Sequence, residues 1–586
     1  MKLNLEGLKN RKEWEEKGII LPSFDIEKMR RATEEDCSWI HFGAGNIFRC
    51  FPAARRQALI EKGLSDTGII VAESFDFEIV DKIYNPHDNL TLSVTLKSDA
   101  SIKNQVVASV AKALKCSPAF PEDYEGLKKA FRNPKLQMVS FTITEKGYAT
   151  APKYVQDDIP KGPEKCSTVI CMVTALALER FKAGAFPFAF VSMDNCSHNG
   201  EKLQKGVMEV ADAWKKLGFV DDGFIEYLSN PEKVSFPWSM IDKITPRPDE
   251  GVAKMLSSLG FEDTDVVVTG KNTWIAPFVN SEECEYLVIE DSFPNGRPRL
   301  EESGIYMTDR DTVNKVEKMK VCTCLNPLHT AMSIMGCLLG YKKISDEMKD
   351  EDIVKYIKRL GYVEGMPVVV DPGIIAPKSF IDDVVEKRLA NPFMPDTPQR
   401  IATDTSQKLA IRLGENIKNY MASDTLSLSD LKCMPLVLAS WMRYLMALDD
   451  NGEKFQPSPD PLLESSMKVV EGISLGDKGP FDEVLKPLME NEAIFGFNLY
   501  TSPLKDRVLE AFASLVKGKG AARETLHRYV NEQVVISLFQ GRFSSPLFDT
   551  YFSRIVKLNF KKLSKRPKDT FETKERDWMK KFVDRL

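Results

Sequence analysis

The chain has 586 residues, with 80 basic and 85 acidic side chains giving a net charge of -5; 28% of residues are charged and 43% are hydrophobic. This composition is that of a globular protein and excludes a disordered or collagen-like chain, while the near-neutral charge balance argues against a protein built to coat nucleic acid. No run is long and apolar enough to read as a membrane span, Met1-Lys2-Leu3-Asn4-Leu5-Glu6-Gly7 has no apolar signal core, and the 11 cysteines include no CxxC pair. Reduced thiols and a cytoplasmic location are therefore expected.

The first 36 residues read as a polar lead-in with one apolar patch at 18–22. Residues 38–42 predict a short buried strand that runs into Gly43-Ala44-Gly45-Asn46-Ile47-Phe48-Arg49. A helix is predicted over 53–62, ended by Gly63, and a second apolar strand over 68–72 closes on Glu73. Strand, glycine turn, helix, strand is the opening of a parallel βαβ unit. Further strands are predicted at 90–96, with period two, and at 138–144, 188–193, 266–268 and 286–289; residues 168–178 read as a buried helix. The strands at 138–144 and 188–193 run into the polar clusters Glu145-Lys146-Gly147-Tyr148 and Asp194-Asn195, at the strand ends where open α/β sheets bind ligands. After about residue 305 helical periodicity takes over, at 326–339, 351–360, 381–389, 405–421, 428–448 and 505–516. The expected fold class is α/β, with an N-terminal Rossmann-type dinucleotide-binding domain over 1–304 and a mainly α-helical C-terminal domain over 305–586. The basic stretch from Arg554 is interleaved with Asp569, Glu572, Glu575, Asp577 and Asp584 and reads as a solvated helical face.

Two constellations carry chemistry. Gly43-x-Gly45-x-x-Phe48 lacks the third glycine of the dinucleotide fingerprint, but it follows a predicted strand and opens a predicted helix. Its glycines would let the backbone approach a pyrophosphate at a helix N-terminus, with Arg49 adding a charge; an ordinary tight turn is the alternative. Glu73 and Asp76 stand where a carboxylate bonds a ribose 2′-OH and repels a 2′-phosphate, which favours NAD over NADP. The second constellation is Lys318-Met319-Lys320-Val321-Cys322-Thr323-Cys324-Leu325-Asn326-Pro327-Leu328-His329. His329 lies one helical step from Asn326, although Asn326-Pro327 also reads as an N-cap followed by proline at the first helical position. No metal is expected, since Cys322-x-Cys324 beside His329 is not a recognised ligand spacing.

These residues resemble the polyol-specific long-chain dehydrogenases, a family that includes mannitol 2-dehydrogenase and the hexuronate reductases. The pieces that carry the resemblance are the glycine turn, Thr144-Glu145-Lys146-Gly147-Tyr148, Asp194-Asn195-x-x-x-Asn199-Gly200, Met240-Ile241-Asp242-Lys243-Ile244-Thr245-Pro246, Glu317-x-x-Lys320, Asn326-x-x-His329, and Arg400 eight residues before Lys408. The resemblance implies metal-independent oxidation of a secondary alcohol with NAD, in a cleft between the two domains. Lys320 matches the family's general base, Asn195 and Asn326 the donors to the developing alkoxide, and His329 a residue that holds the substrate. Asp242, Arg400 and Lys408 match substrate-site positions, and Glu317 an acid linked to proton exit.

The sequence departs from the family in three places. Lys320 to Asn326 spans six residues where the family usually has five; at about 100° per residue the extra one would rotate Lys320 unless a bulge absorbs it, which keeps Lys318 as a second candidate base. Arg49 follows Phe48 where the family has a histidine, and extra sequence falls between 421 and 480. The expected activity is interconversion of fructuronate and mannonate, because Arg400 and Lys408 could pair with a carboxylate. Mannitol 2-dehydrogenase and tagaturonate reductase activities are the alternatives. The partners expected are a small sugar acid or polyol, with no nucleic acid and no membrane. The reading from another class is an inactive nucleotide-binding scaffold, which the inserted residue favours and the intact Asn195, Asn326 and His329 oppose.

Overall fold

Trp39-Ile40-His41-Phe42 alternates its side chains across a sheet: Ile40 and Phe42 enter one apolar core and Trp39 the other, and all four residues are buried. In the computed structural model, which describes residues 1–531, this strand (β1, Trp39–Phe42) lies inside a six-stranded sheet. The others are β2 (Ile69–Glu73), β3 (Val110–Lys115), β4 (Met138–Phe141), β5 (Phe188–Ser192) and β6 (Val234–Ser235). Their order is β3-β2-β1-β4-β5-β6 and every pairing is parallel. This is the Rossmann order, with its switch point between β1 and β4, where ligands bind beyond the strand ends. Helices α1 (Asn46–Cys50) and α2 (Pro52–Glu61) follow the glycine turn and pack Phe48, Ala53 and Leu59 against the face that carries Trp39. Helices α3 (Val169–Lys182) and α4 (Asn199–Lys216) cover the face that carries Ile40 and Phe42.

The strand expected at 90–96 belongs to a different sheet. Thr91–Leu96 pairs antiparallel with Ile102–Val107 and parallel with Phe278–Glu282, and Ile19–Ile20 forms the far edge. The polar lead-in is likewise structured: Met1, Leu3, Leu8, Trp14 and Ile19 are buried against this sheet. Apart from Ile19, which belongs to the apolar patch at 18–22, each is a single apolar residue among polar neighbours, so its burial depends on a distant segment and leaves little local pattern. A third sheet joins Ser239–Asp242, Tyr286–Glu290 and Tyr306–Thr308.

From Arg310 onward the described elements are helical, apart from one isolated bridge at Leu448 and Lys454. Asp309 caps α5 (Arg310–Lys318) by accepting the Thr312 N–H. A π-helical turn, Met319–Cys324, leads into α6 (Asn326–Leu338). This rod, Arg310–Leu338, is long and apolar enough to cross a membrane by length and composition, and 78% of its most apolar window is buried inside the protein. Leu328, Met332 and Met335 of α6 are fully enclosed, each stabilising the fold by about 1.5–3 kcal/mol. The rod packs on Cys433–Tyr444, which packs on Lys505–Leu515. The segment between 421 and 480 contains Cys433–Tyr444 and Leu463–Val470. All 11 cysteines are free thiols.

Residues Met1–Leu526 form one compact unit. Of the second unit, His527–Leu586, the structure describes the end of the helix Ala521–Asn531. The basic stretch from Arg554 lies outside the described residues.

Candidate active site

The glycine turn leaves β1 with Gly43 at φ +106°. A Cβ there would stand 2.4 Å from the Thr142 carbonyl oxygen, so both conformation and space require glycine. Gly45 differs: a Cβ would meet nothing within 4 Å, so the turn presents open space at the entry to α1. Ile47 is half-buried, and Phe48 is enclosed and stacked on His41 with ring centroids 4.1 Å apart. His41 sits between Ser140 Oγ (2.6 Å) and Thr142 Oγ1 (2.9 Å), and burial drives its pKa down to about 3, so the ring is a neutral core group.

Arg49 departs from its expected phosphate role. It is 1% exposed and donates to Thr91 Oγ1 (3.1 Å), the Ala276 carbonyl (2.8 Å) and Asn46 Oδ1 (3.5 Å), which ties the turn to the second sheet. Asn46 in turn reaches the Pro246 carbonyl at 3.5 Å. Glu73 ends β2 and Asp76 lies just beyond it, but both are buried and already partnered. Glu73 accepts the N–H groups of Ala44, Ser74, Phe75 and Asp76 at 2.8–3.1 Å. Burial raises its pKa, with those four donors opposing. Asp76 accepts from Thr269 Oγ1 at 2.6 Å.

The ends of β4 and β5 are fixed by a second network. Thr144 is held at φ +68°, a costly position for a β-branched residue. Asp194 stabilises it by accepting the N–H groups of Ile143 (3.1 Å) and Thr144 (2.8 Å) and the Tyr148 hydroxyl. Asn199, wholly buried, donates to the Asp194 and Ser239 carbonyls (3.0 Å each) and accepts the Ser239 N–H (3.0 Å). Together they hold the turn that presents Asn195 to solvent.

Asn195, Glu317, Lys320 and Asn326, four of the residues singled out in the sequence, line one cavity of about 630 Å³. The Lys320 amine donates to Asn195 Oδ1 (3.0 Å) and the Ile241 carbonyl (3.1 Å), and pairs with Asp242 Oδ1 (3.1 Å). Three acceptors match the three N–H donors of an ammonium. Asp242 stands behind Lys320, outside the lining. Its other oxygen pairs with Arg388 Nη1 (2.7 Å), and Arg388 grips Glu282 with two bonds of 2.7 and 2.8 Å. Burial opposes ionisation of Asp242, but Arg388 and Lys320 outweigh it and hold the carboxyl below its ordinary value. The four side chains form a buried group of two cations and two anions. No local pattern in the sequence singled out Arg388 or Glu282, because their partners lie on other elements.

The residue inserted between Lys320 and Asn326 is absorbed by the π-helical turn, in which the Leu325 N–H bonds the Lys320 carbonyl at 3.1 Å. One i→i+5 turn holds one residue more than an α-turn, so everything after it keeps the phase it would have without the insertion. Lys320 is therefore enclosed at the cavity wall, whereas Lys318 is exposed at the rim. Asn326 does not cap α6: Leu325 holds the N-cap position, no side-chain cap is made, and Asn326 is the first residue of the helix, its side chain available to the cavity.

His329 lies one turn further along α6 and is half-buried. Burial, opposed by Asp396 and reinforced by Arg388, Arg412 and Arg400, lowers its pKa to about 4, so the ring is neutral at physiological pH. Arg400 and Lys408 are not brought into the cavity lining. Arg400 pairs with Asp396, and Lys408 donates to the carbonyls of Thr403 and Ile401. Glu317 accepts the Ser197 hydroxyl where the cavity opens. Among the described residues no cluster of His, Cys, Asp and Glu could hold a metal.

A 3-2-1-4-5-6 parallel sheet with an open glycine turn, set against a helical rod that carries an enclosed lysine, defines a Rossmann-type protein with a polar cavity beyond its strand ends. Residues 38–302 match the mannitol dehydrogenase Rossmann domain and residues 312–516 the mannitol dehydrogenase C-terminal domain, and the chain belongs to the mannitol dehydrogenase family. It is 50% identical over 541 residues to the D-mannonate oxidoreductase of Thermotoga maritima, covering 91% of this chain and 100% of that protein. It is 27% identical to the polyol:NADP oxidoreductase of Gluconobacter oxydans over 86% of this chain and 96% of that one. Among solved structures, the Pseudomonas fluorescens mannitol 2-dehydrogenase in ternary complex with NAD and D-mannitol superposes with a TM-score of 0.65 at 25% identity, over 90% of this chain and 99% of that one.

Proposed function

We propose that the protein is an NAD-dependent, metal-independent oxidoreductase that interconverts fructuronate and mannonate, with Lys320 as general base. The observation that carries this reading is the convergence of the Lys320 amine with Asn195 and Asn326 on one cavity, in a chain half identical to a D-mannonate oxidoreductase along that protein's whole length.

The open face at Gly45 fits a dinucleotide pyrophosphate, since a backbone without Cβ admits close approach there. A bound nicotinamide would supply the hydride acceptor for the alcohol carbon in its oxidised form and the hydride donor for the ketone in its reduced form. The protein's own groups move the proton. Lys320 takes the hydroxyl proton, and Asp242 holds the amine in place. The Asn195 and Asn326 amides donate to the oxygen as it gains charge. The neutral His329 ring holds a neighbouring hydroxyl. Glu317 and Ser197 pass the proton to solvent. The π-helical turn also removes the main support for an inactive scaffold, since the insertion leaves Lys320 at the cavity.

The test is NADH depletion with fructuronate, tagaturonate and fructose in parallel, followed by Lys320→Ala and Lys318→Ala. Lys320→Ala is expected to lower alcohol oxidation by about 10²–10⁴-fold with NADH binding retained, and Lys318→Ala to stay near wild type. A large loss in Lys318→Ala with a mild one in Lys320→Ala would reverse the assignment, and two near-wild-type variants would end the lysine-base mechanism.

A further inference from the structure

We propose that Arg412 binds the substrate carboxylate and makes the cavity select a sugar acid over a neutral polyol; this rests on the sugar-acid reading above. Arg412 lies on a second π-helical segment, Ala410–Gly414, packed against the Met319–Cys324 turn. It lines the same cavity as Lys320, beside Asn416. Asn416 links the two segments by donating to the Cys322 carbonyl and accepting from Thr323 Oγ1.

What sets Arg412 apart is the acid it lacks. The one hydrogen bond its guanidinium makes among the described residues goes from Nη1 to Thr330 Oγ1 at 2.8 Å, and no carboxylate pairs with it. Burial lowers its pKa to about 10 with no acid opposing. Several of the other charges nearby are answered, although Glu317 and Lys318 at the rim pair with no charge among the described residues. Lys320 has Asp242, Arg388 has Asp242 and Glu282, Arg400 has Asp396, and Glu415 turns to Lys418. Buried arginines elsewhere that lack an acid are bonded several times over, as Arg49 and Arg56 are by three bonds each and Arg180 is by five to the carbonyls of Phe131, Asn133, Leu136, Phe186 and Pro187.

A partly desolvated guanidinium with an open fork favours a planar anion that can take two parallel N–H bonds, and a carboxylate is such a group. In a hexuronate the carboxylate lies at the end of the chain remote from the reacting carbon. Lys320 and Arg412, on facing π-helical segments, would then act on opposite ends of one molecule. Arg400 and Lys408, the cations the sequence suggested for this task, are held by Asp396 and by backbone carbonyls.

The test compares kcat and KM for fructuronate and fructose in wild type, Arg412→Met and Arg412→Lys, with thermal unfolding of each. Arg412→Met is expected to raise the fructuronate KM by about 10²-fold and to leave that of fructose within about threefold. Arg412→Lys, which keeps charge but loses the fork, should lie between. Equal losses on both substrates in either folded variant would make Arg412 a structural support of Thr330 and overturn the proposal. Wild-type enzyme that reduces fructose and not fructuronate would instead refute the sugar-acid reading, and this proposal with it.

Discussion

Asp242→Asn isolates the buried charge group behind the cavity. The carboxylate faces Lys320 Nζ at 3.1 Å and Arg388 Nη1 at 2.7 Å, and all three side chains are at most 7% exposed. Removing one member of a buried ion pair costs about 3–5 kcal/mol, chiefly because the remaining charge is left unanswered. Arg388 keeps both bonds to Glu282, and Lys320 keeps Asn195 and the Ile241 carbonyl, so the expected loss is about 2–4 kcal/mol. The pH dependence has a definite sign. A carboxyl held below its ordinary value in the folded protein contributes stability that is fully present above its unfolded pKa, about 3.9, and that is lost as pH falls through the folded value. The gap between wild type and Asp242→Asn should therefore be flat from about pH 5 to 8 and close below about pH 4. Urea unfolding followed by tryptophan fluorescence and circular dichroism measures it, where the two transitions coincide. A loss under about 1 kcal/mol, or a gap that widens on acidification, would show that Asp242 is not the stabilising anion of the group.

The two glycines of the turn should fail in different ways. Gly43→Ala is expected to lower thermal stability and yield, because its Cβ meets the Thr142 carbonyl at 2.4 Å with φ at +106°. Gly45→Ala should fold normally and weaken NADH binding by about tenfold or more, and an unchanged fluorescence titration would refute the pyrophosphate cradle. NADH is expected to be preferred over NADPH, since the carboxyl groups of Glu73 and Asp76 stand at and just after the end of β2, where such groups disfavour a 2′-phosphate; equal or better turnover with NADPH refutes that reading.

The strands that cross the middle of the sheet were legible because both faces are buried. The strands at 69–73, 138–141 and 188–192 are runs of apolar residues bounded by polar turns. Val110–Lys115 was not legible: it lies at the sheet edge, and its burial pattern breaks at Lys112 and Lys115, which reads equally well as a loop or a helix face. Within the site, Lys320, Asn195, Asn326 and Glu317 were marked by the family resemblance of their motifs. Asp242 was marked as a substrate residue, but its partner Arg388 lies 146 residues away, a pairing that no local pattern contains. Arg412 was hidden for the opposite reason. On an ordinary helical reading of 405–421 it is one more surface cation, and its isolation from acids becomes visible once the neighbouring segments are in place.

The π-helical turn at Met319–Cys324 separates position along the chain from angle around the axis. A spacing of six can present a lysine as a spacing of five does, so matching residues by rank would need a gap, and a gap put on the wrong side of Lys320 nominates the solvent-facing Lys318. Direction about the rod is the better guide to shared chemistry. Val384–Arg388 and Ala410–Gly414 wind in the same way, and each bears an arginine of this region, Arg388 in the first and Arg412 in the second. Three of the charged groups at or behind this cavity, Lys320, Arg388 and Arg412, thus stand on turns that hold one residue more than an α-turn without re-aiming the side chains beyond them.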